Sequence, residues 1–85
     1  MLIKPLAPQT DLDPATNVDS ATVVHLVNTN AAETVIVRSG ISSVGIGSFT
    51  LEAGQSVQVE KDPTDLLSAS ANGGDVKATK IAYLN

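Results

Sequence analysis

The chain has 85 residues, a net charge of −4, no cysteine, a single histidine, and Phe49 and Tyr83 as its only large aromatic side chains. That length allows one domain with a modest core, burying about 60–65% of the unfolded surface, and no disulfide can staple it. The acidic balance, with Lys4, Arg38, Lys61, Lys77 and Lys80 scattered rather than clustered, argues against a nucleic-acid-binding or anionic-membrane surface, and no apolar run is long enough for a transmembrane helix.

Structural zinc is almost excluded, because His25 stands alone without thiolates. The support left for so small a core is self-association or docking on a larger body, since binding adds to stability. The bland alternative is a marginally stable monomeric sandwich. The opening MLIKPLAPQTDLDP lacks the apolar core and small-residue cleavage site of a secretory signal. The expectation is a chain made in the cytoplasm that stays there or leaves as part of an assembly.

Residues 1–19 differ in character from the rest. Pro5, Pro8 and Pro14, with Asp11, Asp13 and Asp19, preclude a long helix or central strand. The segment reads as an extended N-terminal arm with an apolar tip, and residues 20–85 read as the folded domain. Leu2, Ile3, Lys4, Pro5 and Leu6 are the candidate interface residues, because the three large apolar ones would otherwise sit in water. A frayed terminus is the competing reading.

From Ser20 the pattern is that of strands. Thr22–Asn28 (TVVHLVN) is apolar on both faces, as a central strand would be. Thr34–Ser39 (TVIVRS) is β-branched and is expected as its hairpin partner. Gly40, Gly45 and Gly47 predict a turn or a bulged, bent strand over 40–48. Phe49 and Leu51 point one way, with Phe49 expected in the core. Ala53-Gly54 makes a turn, and Gln55–Glu60 alternates with Val57 and Val59 inward. Asp62-Pro63 ends that strand, Leu66–Ala71 is read as another, and Asn72-Gly73-Gly74-Asp75 is the strongest turn signal. The last strand, Val76–Leu84, should carry an irregularity near Thr79-Lys80, where the apolar phase slips from Val76/Ala78 to Ile81/Tyr83. Six or seven short strands joined by turns predict an all-β protein, a small antiparallel sandwich or barrel.

Each chemical motif fails at a named residue. Gly40 and Gly45 have phosphate-loop spacing, but Ile46 and Gly47 stand where the Lys and Ser/Thr are needed. Gly45-Ile46-Gly47-Ser48 has the wrong order for a nucleophile elbow, so His25 has no serine partner in the sequence pattern; it reads as a satisfied or interface histidine. Asp11-Leu12-Asp13 runs into Pro14 and breaks the calcium-loop pattern. Glu52, Glu60, Asp62 and Asp65 fall at turns or outward positions and read as solvated surface rather than paired glycosidase carboxylates. A sugar-stacking platform would need more aromatics than Phe49 and Tyr83. The expectation is a non-enzyme without cofactor or metal.

The succession Phe49-Thr50-Leu51, Gly54, Val57-Gln58-Val59-Glu60-Lys61-Asp62-Pro63, then Val76-Lys77-Ala78-Thr79 and Ala82-Tyr83, with the opening Leu2-Ile3-Lys4-Pro5-Leu6, resembles small structural proteins of tailed bacteriophages, of the type infecting marine bacteria and cyanobacteria. The resemblance covers most of the chain and is weakest over Ala31–Ser48. It implies a virion component on the capsid surface, synthesised in the host cytoplasm: a decoration (cement) protein, self-associating as a homotrimer and bound between major capsid proteins. It brings no catalytic or metal residues. A tail, neck or fibre-base subunit is the alternative within the virion, and a small glycan-binding module is the alternative outside it. Neither nucleic acid nor membrane is an expected partner.

Overall fold

Among the described residues eight strands are divided between two antiparallel sheets. They are β1 (Leu2–Pro5), β2 (Thr10–Asp11), β3 (Val23–Asn28), β4 (Thr34–Ser39), β5 (Gly45–Leu51), β6 (Ser56–Glu60), β7 (Leu66–Ala69) and β8 (Val76–Leu84), with one 3-10 turn at Gly73–Asp75. The structure, a computed structural model, describes residues 2–40 and 44–84; Met1, residues 41–43, Asn85 and the side chains of Tyr83 and Leu84 lie outside that description. The larger sheet runs β1-β8-β3-β6, with β2 also on β8, and the smaller runs β5-β4-β7. The chain is therefore an all-β sandwich, and neither sheet closes into a barrel.

The core lies between the sheets. Val24, Leu26, Val76 and Ala78 come from the larger sheet and Ile36, Leu51 and Leu67 from the smaller, all fully buried. On β3 the alternation is strict, with Val24, Leu26 and Asn28 inside and Val23, His25 and Val27 half-buried on the outer face. Val57 and Val59 of β6 pack against the core as partly buried side chains. Each large aliphatic side chain buried this way is worth about 1.5–3 kcal/mol.

β3 and β4 are not a hairpin pair. β3 lies between β6 and β8, while β4 lies between β5 and β7 in the other sheet. The reason is the polar sequence between them. Asn28 Oδ1 accepts the Asn30 N–H at 2.9 Å, and Asn30 Oδ1 accepts the Ala32 N–H at 2.8 Å. Two successive side-chain turns of this kind lead the backbone away from the ladder. Asn28 Nδ2 then donates to Ala32 O at 3.0 Å and to Leu51 O at 3.3 Å, tying the crossing to the second sheet. The return at Ala53-Gly54 uses a positive φ of 74° at Gly54, and the Gly54 N–H donates to Asn28 O at 2.9 Å.

Phe49 is 36% exposed and not a core residue. It shares the inner row with buried Ile36, but β5 is the last strand of its sheet, so one side of the ring has no neighbouring strand. The bend expected in the glycine-rich segment appears as a register shift between Arg38 and Ser39. There Arg38 opposes Gly47 and Ser39 opposes Gly45, leaving Ile46 as the extra, bulged residue.

Residues 1–19 do not stand apart from the sandwich. β1 and β2 both pair with the outer side of β8. Thr16 then crosses to β7, and Leu12 and Val18, 2% and 3% exposed, enter the core. Proline and aspartate stop this segment from forming a central strand, yet the burial of Leu12 and Val18 holds it across the open side of the core. A turn of left-handed backbone at Val18, Asp19 and Ser20, with φ of 52°, 56° and 57°, delivers the chain into β3. Ala21 N–H closes that turn on Asn17 O and Val18 O, both at 3.2 Å.

On β8 the buried positions run Val76, Ala78 and then Ile81, so the inward phase slips between 78 and 81. β3 pairs with Val76–Lys80 and β1 with Ile81–Leu84. The slip falls where the strand leaves β3 and continues with β1 as a two-stranded ribbon.

Candidate functional site

Several of the residues with chemical potential are dispersed and hydrogen-bonded within the fold. His25 lies on the outer face of the larger sheet, its Nδ1 2.9 Å from Gln58 Nε2 on β6. No serine or carboxylate shares that hydrogen bond. Asp11 Oδ1 accepts the Asp13 N–H at 3.0 Å, which folds the Asp11–Asp13 pair onto its own backbone. Asp75 Oδ2 accepts from Asn30 Nδ2 at 2.8 Å. The Gly40 N–H donates to Val44 O at 3.0 Å, so the ends of the glycine segment close a hairpin; its tip, 41–43, lies outside the described residues. Among the described residues no three His, Cys, Asp or Glu side chains gather as a metal site.

One end of the sandwich holds a charged cluster that the sequence does not reveal. Lys61, just after β6, is 3% exposed, and its Nζ donates to Ala21 O at 2.7 Å and Asp62 O at 3.1 Å. Loss of water lowers its pKa, and the nearby Asp65 and Asp62 carboxylates only partly oppose that. Asp65, also buried, pairs with Arg38 Nη1 at 3.2 Å and accepts the Asp62 N–H at 3.1 Å. Every member satisfies another, and among the described residues no buried side-chain nitrogen or oxygen lacks a partner. The arrangement joins the β6–β7 connection to the sandwich.

A shallow cleft of about 320 Å³ opens beside the N-terminal segment, lined by Ala7, Pro8, Thr10, Thr16, Asp19 and Lys80 among others. Lys80 Nζ donates across it to Asp19 O at 3.2 Å. The left-handed turn at 18–20 forms one wall, and its signal in the sequence is Asn17, Asp19 and Ser20, residue types that form local side-chain turns and, for Asn and Asp, tolerate this backbone.

What the molecule does present is apolar surface on unpaired strand edges. Among the described residues the exposed large hydrophobic side chains are Leu2, Ile3 and Leu6 on one side, and Val35, Val44, Ile46 and Phe49 on the other. The first group belongs to β1 and the residues after it, at the outer edge of the larger sheet. The second surrounds β5, the outer edge of the smaller sheet. The interface candidates Leu2, Ile3, Lys4, Pro5 and Leu6 are all exposed, but they are ordered along β8 rather than free. Ile3 opposes Tyr83, Pro5 opposes Ile81, and the Leu6 N–H donates to Lys80 O at 2.8 Å. Val44 and Ile46 are the residues that sequence reasoning missed, because a glycine-rich bend masks that they belong to an edge strand.

Comparison of the chain with family models, with curated proteins and with solved structures gives no match.

Proposed function

We propose that this chain is a structural component of a virion: a capsid decoration protein of a tailed bacteriophage that self-associates, binds between major capsid proteins and stabilises the head. The observation that carries the structural part of this reading is the distribution of surface. Among the described residues the buried polar side chains are internally satisfied, while large apolar side chains remain exposed along two open strand edges. Such edges are templates for pairing with another chain, and apolar edge surface is what a scaffold offers to neighbours. The phage part rests on the resemblance of the strand–turn text from Phe49 to Tyr83 and of Leu2–Leu6. The mechanism is mechanical, with apolar and hydrogen-bonded contacts bridging capsomers against the pressure of packaged DNA.

Quantitative mass spectrometry of purified virions tests it. A copy number that scales with the capsid lattice supports the decoration role. The few copies of a tail ring would move the chain to the neck, tail or fibre base. Absence from particles combined with binding on a glycan array would replace the reading with a carbohydrate-binding module. Deletion of residues 1–8 should weaken binding to particles, and undiminished binding would remove Leu2–Leu6 from the contact.

A further inference from the structure

We infer that the two open edges that carry exposed apolar side chains are the two halves of a single contact between copies of this chain: β1 of one copy lies along β5 of the next, head to tail. The inference extends the self-association named above and does not depend on the virion assignment.

Three observations converge on it. The first is the ribbon. Beyond Lys80, β8 has β1 as its strand partner and no longer pairs with β3. An isolated two-stranded antiparallel unit is marginal in water, and a third strand makes it stable. The outer side of β1 is open to such a strand, since β1 ends its sheet. Leu2 is 68% exposed there and Ile3 36%.

The second is the match of the partner edge. The bulge at Ile46 limits regular pairing on β5 to Gly47–Leu51, and Pro5, which has no N–H, ends the pairing stretch of β1. Two short stretches of similar length remain. Each is flanked by its apolar group, Leu2, Ile3 and Leu6 on one and Val44, Ile46 and Phe49 on the other, so one head-to-tail contact covers both.

The third is charge. β5 carries no charged residue and β1 carries only Lys4, on a chain of net charge −4. The other uncovered edge, β6, carries Glu60 with Asp62 just beyond it. Pairing two acidic edges would set like charges across from one another, which is destabilising. Joining β1 to β5 brings no like charges together. A symmetric β5–β5 contact would avoid that clash too, but it would leave the β1 ribbon in water.

Because the chain has no cysteine, engineered thiols report the contact without background. Lys4→Cys and Thr50→Cys, made in separately tagged chains and oxidised after mixing, should give the mixed disulfide, with Leu2→Cys and Ser48→Cys covering the neighbouring register. No mixed disulfide in any combination overturns the inference, as does a Thr50→Cys homodimer formed as readily as the mixed species. Sedimentation velocity supplies a second readout that needs no covalent trap. Wild type should associate, and Leu2→Lys and Ile46→Lys, both at exposed positions, should each weaken association about tenfold or more, equivalent to about 1.4 kcal/mol. Mixed together they should recover a dimer through the one contact that still has both wild-type edges. Retained self-association of Leu2→Lys alone, or monomeric wild type at the highest soluble concentration, rules the contact out. Particle binding separates this from the functional reading. Association in solution without particle binding removes the virion role and leaves the contact, whereas particle binding by a strict monomer removes the contact and leaves the role.

Discussion

Thr16 and Leu67 exchange both of their backbone hydrogen bonds, at 3.1 Å from the Thr16 N–H and 2.8 Å from the Leu67 N–H. This single bridge occupies the outer edge of β7. A few residues earlier, β2 occupies the outer edge of β8 in the opposite sheet. The N-terminal segment thus straps the two sheets together along one side and leaves β5 and β6 open along the other.

The strap should be worth a measurable share of stability. Thr16→Pro removes the donor to Leu67 O and is expected to lower the unfolding free energy by about 1–3 kcal/mol, the cost of leaving a buried acceptor unpaired. Thr16→Ser keeps both backbone bonds and the hydroxyl that accepts the Val18 N–H at 3.1 Å, and should change it by less than about 1 kcal/mol. Urea titration distinguishes the two; equal midpoints for Thr16→Pro and wild type would mean the strap carries no load.

Asn28 is the other joint. It is fully buried, and its side chain holds Ala32 O, Leu51 O and the Asn30 N–H at once. Asn28→Ala strands these groups and should cost about 2–3 kcal/mol. Because the lost contacts bridge the sheets, amide exchange should accelerate in Thr34–Leu51 more than in Val76–Lys80. Uniform acceleration across both sheets would show that Asn28 is not the crossing point.

The ammonium of Lys61 gives a pH dependence of definite sign. Burial lowers its folded pKa, so in the interval between that value and the ordinary lysine value, about 10.4, the unfolded chain binds the extra proton. Stability from this group therefore rises with pH through that interval and is flat below it. Urea unfolding between pH 7 and 10, compared for wild type and Lys61→Met, should show wild type gaining on the variant as pH rises. Parallel curves would place Lys61 in water.

Ser20 offers a change of the opposite sign. It is exposed with φ of 57°, in the left-handed region that favours glycine. Ser20→Gly should raise stability by about 0.5–1 kcal/mol, and a loss on thermal unfolding would show that this backbone carries no strain.

The fold class was legible because its signal is local. Alternation in Val57–Val59, the turn at Asn72–Asp75 and the β-branched run at Thr34–Val37 each report their own residues, and the structure has a strand or turn at each. The phase slip after Ala78 was legible for the same reason. Pairing was not. β3 and β4 look like a hairpin in sequence, and only the joint action of Asn28 and Asn30 on backbone groups in both sheets sends them apart. The fate of Phe49 depends on β5 being a terminal strand, a property of sheet order that no window of sequence contains. Lys61 is similar, since nothing near it in the chain announces the carbonyl of Ala21 that accepts its hydrogen bond. Of the candidate surface, the apolar Leu2–Leu6 was visible as text; its counterpart at Val44 and Ile46 emerges only when the edge is seen to be open.

Leu2 lies directly opposite Leu84, so the first and last described residues sit side by side at the tip of the β1–β8 ribbon. Tension applied to the two ends would therefore meet the ladder one rung at a time, in the manner of a zipper, and never load its bonds in parallel. A body built this way yields readily when pulled by its ends and resists far better when squeezed across its sheets. Any attachment that must survive strain should grip the faces and edges of the sandwich rather than its termini.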